Sequence, residues 1–79
     1  DYNIYPNPNS GEFAFEHLRD AKTVGIFNML GQLVYRKEIE GPEDLHFQLD
    51  NLTSGNYSLI IKDHKNQKHV QRLIIQNGR

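Results

Sequence analysis

The sequence lacks cysteine and tryptophan and has no long apolar run. Without cysteine the chain forms no disulfide and carries out no thiol chemistry. Its apolar stretches fall far short of the roughly 18 residues that a membrane-spanning helix needs, so we expect no direct membrane insertion. Nine basic and ten acidic side chains are interspersed and give a net charge of −1. A protein that binds nucleic acid needs a basic patch, and we therefore expect no nucleic-acid partner.

Sequence signatures of catalysis are missing as well. There is no phosphate-binding loop, no dinucleotide fingerprint and no serine-elbow sequence. The four histidines lack the spacing of a zinc site, and solvated histidines are the preferred interpretation. Loop oxygens of Asp50–Asn51 or of Asn7 and Asn9 are the available calcium ligands, but no EF-hand spacing supports such a site. We therefore predict a non-catalytic protein without a metal or cofactor.

Short runs of strand-forming residues alternate with turn signals along the whole chain. The strand candidates are 2–5, 12–16, 23–27, 32–39, 45–49, 57–61 and 70–75. Seven such strands predict an all-β fold, a small immunoglobulin-like antiparallel β-sandwich, with a small closed barrel as the alternative. The length predicts a single domain, 1–79. Because its first residues are already strand-like, we expect this domain to be cut from a longer protein.

Two turns have residues that fix their geometry. Asn28 to Gly31 is typical of a type I turn closed by glycine in the left-handed region, with Met29 and Leu30 at its tip either folded back or exposed for a partner. Gly55 and the residue after it supply a turn before a central strand. Tyr57 then opens that strand. It is predicted either to return its hydroxyl to the chain, as in a tyrosine corner, or to be a plain core-edge residue.

The register of the last hairpin follows from which residues must face the core. Leu59 and Ile61 face inward on the first arm, and Arg72 must not, so Leu73 and Ile75 face inward on the second arm. Pairing Ile61 with Leu73 satisfies both conditions and centres the turn on Gln67, with Asn66 or Gln67 in the left-handed region. In this register Ile60 and Ile74 are neighbours on the outer face, either as ordinary strand residues or as a small docking patch.

Three motifs in a fixed order carry a resemblance to a known family. They are Tyr5–Gly11 (YPNPNSG), Val24–Val34 (VGIFNMLGQLV) and Leu49–Ile61 (LDNLTSGNYSLII), and the strand ending in Leu73–Ile75 follows them. Together they resemble the type A C-terminal sorting domain of the bacterial type IX secretion system, also called the Por secretion system. The resemblance covers nearly the whole chain.

The resemblance implies a non-catalytic export signal at the C-terminus of a secreted cargo protein. The expected partners are the type IX translocon and its outer-membrane shuttle and sortase components. The cargo would pass through the periplasm to the outer-membrane surface or the extracellular space. Sortase cleavage, usually just upstream of the domain, and cell-surface attachment often follow. We expect the isolated domain to be a monomer or a weak dimer formed through an uncovered sheet edge.

The resemblance and the hairpin together assign residues to two groups. The residues expected to match structural motifs of the family are Pro6, Asn7, Pro8, Gly11, Gly31, Gly55 and Tyr57. The residues expected to bind the translocon or shuttle are Ile60, Arg72, Leu73, Ile74 and Ile75. The family often carries lysines on and after the final strand, where this chain has Arg72 and Arg79 instead.

Two other functions are weighed against this interpretation. One is a carbohydrate-binding or adhesive sandwich module of a surface enzyme, which would need exposed coplanar aromatic side chains. The other is an enzyme, which would need a cleft holding a strongly perturbed carboxylate or histidine. The motif order favours the sorting domain over both.

Overall fold

Seven strands account for most of the structure, a computed structural model that describes residues 3–16 and 20–77. The strands are β1 (Ile4–Tyr5), β2 (Glu12–Phe15), β3 (Ala21–Phe27), β4 (Leu33–Glu38), β5 (His46–Gln48), β6 (Gly55–Asp63) and β7 (Lys68–Ile75). One turn of 3-10 helix, Pro42–Leu45, follows the Gly-Pro break after β4. Within these described ranges, no helix is long and apolar enough to cross a membrane.

The strands form two antiparallel sheets. The smaller sheet has the order β1-β2-β5 and the larger has the order β4-β3-β6-β7. Apolar side chains of both sheets share one core, in which Val24, Ile26, Leu59 and Ile61 are fully buried. The predicted seven-stranded antiparallel sandwich is confirmed. The expectation that residues 1–79 are a single domain cut from a longer protein remains a prediction.

Aromatic side chains join the two sheets. Phe13 and Phe47 lie opposite each other on β2 and β5, and their rings stack with centroids 5.0 Å apart. Tyr35 of the larger sheet meets Phe47 edge-on at 6.1 Å. The ammonium group of Lys37 lies 4.2 Å from the Phe47 centroid and donates to the His46 carbonyl oxygen at 2.7 Å. This cation over the ring closes the edge of the core while keeping its charge solvated.

The predicted register of the last hairpin is wrong by four residues. Ile61 pairs with His69, whereas Leu73 pairs with Tyr57. Leu73 and Ile75 nevertheless face the core as predicted, at 0% and 1% exposure. A shift by an even number of residues leaves every side chain on its original face, because side chains alternate with a period of two. The requirement that apolar residues face the core therefore could not distinguish the two registers.

The local chemistry of the turn decides the register. The turn spans Asp63 to Gln67, and the Asp63 amide donates to the Gln67 carbonyl oxygen at 3.0 Å. The Asp63 carboxylate accepts from the backbone amides of Lys65, at 2.9 Å, and of Gln67, at 2.8 Å. Asn66 has φ +64° and is the left-handed residue of the two predicted candidates, Asn66 and Gln67. The aspartate acts as a turn former and starts the hairpin earlier than the symmetric placement around Gln67.

Candidate partner-binding site

The last strand lies at an edge of the larger sheet, as expected. Its side chains divide sharply between the two faces. Leu73 and Ile75 belong to the core, whereas Arg72 is exposed and Ile74 is half-buried on the outer face. A partner of the folded domain can therefore reach the side chains of Arg72 and Ile74, but not those of Leu73 and Ile75.

Ile60 also faces outward, but its neighbour differs from the predicted one. It lies opposite Val70, which is 70% exposed, whereas Ile74 lies opposite Asn56. The expected Ile60–Ile74 pair is a consequence of the wrong register and does not form. Ile60 forms a cross-strand apolar pair with Val70 instead. Sequence reasoning missed Val70, although it has the same alternation phase as Arg72.

The proline-rich loop between β1 and β2 covers part of the edge of β7. The backbone of Asn9 forms a parallel bridge there: its amide donates to the Ile74 carbonyl oxygen at 3.1 Å, and its own carbonyl accepts from Gln76 at 2.7 Å. The side chain of Asn7 forms the hydrogen bonds that the backbone of a neighbouring strand would form. It donates to the Arg72 carbonyl oxygen at 3.2 Å and accepts from the Ile74 amide at 3.1 Å. This loop, named here the edge clamp, occupies outward-pointing backbone groups from Arg72 in β7 to Gln76, the residue that follows the strand.

Other residues of the predicted motif shape the edge clamp. The peptide bonds before Pro6 and Pro8 are cis. Asn9 is 7% exposed, and its side chain donates to the Pro6 carbonyl oxygen and accepts from the Gly11 amide, both at 2.8 Å. Gly11 has φ +116°, and a Cβ there would overlap the Leu49 carbonyl oxygen. Sequence reasoning singled out Gly11 but missed Asn9, for which an Asn two residues before a glycine was the available signal.

Tyr57 braces the start of β6. Its ring is 8% exposed, and its hydroxyl donates to the Thr53 carbonyl oxygen at 2.7 Å. The predicted return of the hydroxyl to the chain is confirmed. Gly55 opens the same strand and pairs with Ile75, so this corner also positions the C-terminal end of β7.

The turn between β3 and β4 has the predicted geometry. The Gly31 amide donates to the Asn28 carbonyl oxygen at 3.0 Å, and Gly31 has φ +80°. The tip residues Met29 and Leu30 are 77% and 83% exposed. Of the two predicted orientations, the structure has the exposed one.

Asp63 is a carboxylate whose pKa is shifted by its surroundings. Its pKa lies below the ordinary value because the His69 side chain contacts it at 3.0 Å, and the amides of Gln67 and Lys65 donate to it. The residue is 6% exposed, and burial acts in the opposite direction on its pKa. These partners belong to the β6–β7 turn, so the perturbation is explained by a structural role.

The surface of residues 3–16 and 20–77 lacks the side-chain arrangements of a metal site and of a sugar-binding platform. In those ranges, no three His, Cys, Asp or Glu side chains come close enough to hold a metal ion. Among the large apolar side chains exposed there, Tyr5, at 72%, is the only aromatic one, whereas a sugar-binding platform needs several coplanar rings. What this part of the chain does present is an edge strand and an adjoining outer sheet face.

The fold and this site define a class, that of small β-sandwich domains with an exposed outer sheet face beside an edge strand that a loop partly covers. Comparison with known proteins gives the family. The chain belongs to the secretion system C-terminal sorting domain family, whose model matches residues 3–76. It is also 32% identical over 75 residues to the ulvan lyase NLR42 of Nonlabens ulvanivorans, an alignment covering 91% of this chain and 14% of that protein.

The family assignment confirms the resemblance seen in the sequence motifs. Domains of this family are non-catalytic sorting signals for type IX secretion. The assignment implies export across the outer membrane to the cell surface or extracellular space, and interaction with the secretion machinery. The chain spans only 14% of the length of the curated relative. The lyase activity stated in that relative's name is therefore attributed to the relative alone.

Proposed function

We propose that this domain is read in its folded form as the export signal of a longer protein. The observation that carries the proposal is the burial of Leu73 and Ile75, at 0% and 1% exposure. These residues lie in the strand that the resemblance ties most closely to export. A partner that binds the strand as an extended peptide would have to remove both side chains from the core, which costs about 2–5 kcal/mol for each large apolar side chain. A partner that binds the surface of the folded domain incurs no such cost.

The machinery in this proposal acts in sequence. Cargo and domain reach the periplasm, the shuttle and translocon bind the folded domain, and the cargo crosses the outer membrane. An outer-membrane sortase then cleaves upstream of the domain and joins the cargo to the surface. The docking side chains are those of Ile60, Arg72 and Ile74, which point outward. Leu73 and Ile75 contribute by holding β7 in place.

The proposal is tested by fusing a periplasmic signal peptide, a fluorescent reporter and this domain in that order. The fusion is expressed in a bacterium with a working type IX system and in its translocon-null derivative, with a domain native to that host as control. Reporter outside only the competent strain is the expected result. Folded reporter retained in the periplasm of both strains, while the native control is exported, would contradict a sorting role.

The docking residues are tested in the same assay. The double variant Ile60→Ser with Ile74→Ser is expected to lower export without unfolding the domain, because neither side chain is part of the buried core. Tyr5→Ser is the matched control, since Tyr5 is exposed on the other sheet. Unchanged export of a folded double variant would remove Ile60 and Ile74 from the docking surface. A reporter that keeps the mass of the domain after surface display would argue against sortase cleavage.

A further inference from the structure

Two large apolar side chains are exposed to solvent at the tip of the β3–β4 hairpin, where hydrogen bonds fix the backbone. Met29 and Leu30 are 77% and 83% exposed. The Asn28 carboxamide oxygen accepts from the Leu30 amide at 2.9 Å and from the Gln32 amide at 3.0 Å, and the Asn28 side chain also donates to the Gln32 side chain at 2.9 Å. These bonds fix the conformation of the turn. Exposed apolar groups on an ordered backbone lose little entropy when a partner covers them.

The apolar surface continues from the tip onto the outer face of the larger sheet. Leu33, 52% exposed, lies opposite Phe27, and the Phe27 ring covers Gly25, where an added Cβ would stand 3.1 Å from the ring. A shallow depression lined by Met29, Val70 and Arg72, among others, connects the tip with β7. We name these exposed residues of the hairpin and of the outer sheet face the tip surface; it comprises Met29, Leu30, Leu33, Val70 and Arg72.

The tip surface lies on a sheet face that carries several basic side chains. Outward-facing strand positions of the larger sheet carry Arg36, Lys62, Lys68 and Arg72, and Glu38 is the carboxylate among them. Glu38 is itself 3.6 Å from Arg36. The whole chain has a net charge of −1, so this face is positive against an overall acidic background. Complementary charge directs encounter and orientation in protein association.

We propose that Met29 and Leu30 are the anchor residues of docking, and that they insert into an apolar pocket rimmed by carboxylates on a protein partner. This inference rests on the proposed function, in which the folded domain is what the partner binds. A few side chains that fill desolvated pockets supply most of the affinity of such contacts, and surrounding charges set the orientation. A lipid surface fits less well, since two side chains bury less apolar area than a single myristoyl chain, which by itself anchors a protein only marginally.

The reporter assay described above separates this inference from the proposed function. Met29→Ser with Leu30→Ser is expected to reduce export about tenfold or more, as the loss of an anchor does, with an unchanged urea midpoint. Tyr5→Ser, which removes an equally exposed apolar group from the other sheet, is expected to leave export unaltered. Full export of the folded double variant overturns the anchor while leaving the sorting function intact. Loss of export of the parental domain overturns both.

Two further measurements make the result decisive. If the double variant unfolds, Leu33→Ser on the same surface answers the same question: reduced export supports the tip surface, and unaltered export overturns it. The purified domain is also sedimented with vesicles of mixed phosphatidylethanolamine and phosphatidylglycerol, where no binding is expected. Vesicle binding that disappears with Met29→Ser and Leu30→Ser would replace the protein partner by an anionic lipid surface and overturn the proposal.

Discussion

Replacing Gly11 by alanine perturbs the contact between the edge clamp and Leu49, the residue that follows β5. Gly11 has φ +116°, a region in which an L residue is strained by about 1–3 kcal/mol. The added methyl group would also overlap the Leu49 carbonyl oxygen. Moving it away disturbs the hydrogen bond from the Leu49 amide to the Gly11 carbonyl oxygen, 2.8 Å long and worth about 1 kcal/mol. We expect Gly11→Ala to lower the free energy of unfolding by about 3 kcal/mol or more.

Gly31→Ala is the matched control for backbone strain alone. Gly31 has φ +80°, and a Cβ there would meet nothing within 4 Å. Left-handed strain by itself costs about 1–2 kcal/mol. For a domain of this size, each kcal/mol lowers the melting temperature by about 4–8 °C. Thermal melts followed by circular dichroism and urea unfolding should both rank Gly11→Ala well below Gly31→Ala. Equal losses for the two variants would refute the close contact between Gly11 and Leu49.

Two further predictions concern the edge and the turn of the last hairpin. Asn7→Ala should speed hydrogen exchange of the Ile74 amide and lower the free energy of unfolding by about 1–2 kcal/mol, the net value of two hydrogen bonds. Asn7→Asp keeps an acceptor for that amide and should leave its exchange slow. Equally slow exchange in both variants would refute the clamp. Because the pKa of Asp63 is lowered in the folded state, its stabilising effect is present above the ordinary carboxyl range near pH 4 and is lost as the pH falls through the folded value. As the pH is lowered, the urea midpoint should fall less steeply for Asp63→Asn, which keeps both turn bonds to Oδ1, than for the unsubstituted domain. Parallel plots of midpoint against pH for the two proteins would contradict this.

Strand number, sheet pairing type and the inward face of each strand were predictable because they depend on local alternation. Leu73 and Ile75 were assigned to the core correctly, and the left-handed Asn66 was among the predicted options. Alternation has a period of two, so it fixes the face of a strand but not its register. The Asp63 carboxylate breaks that degeneracy by binding the amides of Lys65 and Gln67. A turn-first argument built on Asp63 would have been more informative than a symmetric loop.

The candidate site was harder to predict because it depends on contacts between distant parts of the chain. Asn7 meets Arg72 and Ile74 across more than sixty residues, and no local pattern reports such a contact. The resemblance indicated that the proline-rich motif matters but gave no reason for it. The structure supplies the reason: the motif completes the edge of the last strand with a side-chain amide and one bridging residue.

The edge clamp limits how a partner can bind β7. Addition of a strand requires a row of free backbone groups, and Asn7 and Asn9 already occupy those from Arg72 to Gln76. A partner that extends the sheet past Arg72 must therefore displace the loop and lose its hydrogen bonds. Contact with the outer face needs no such release, because Val70 and Arg72 are exposed while the clamp is in place. Binding through the outer face and the hairpin tip is thus the mode that leaves the folded domain unchanged.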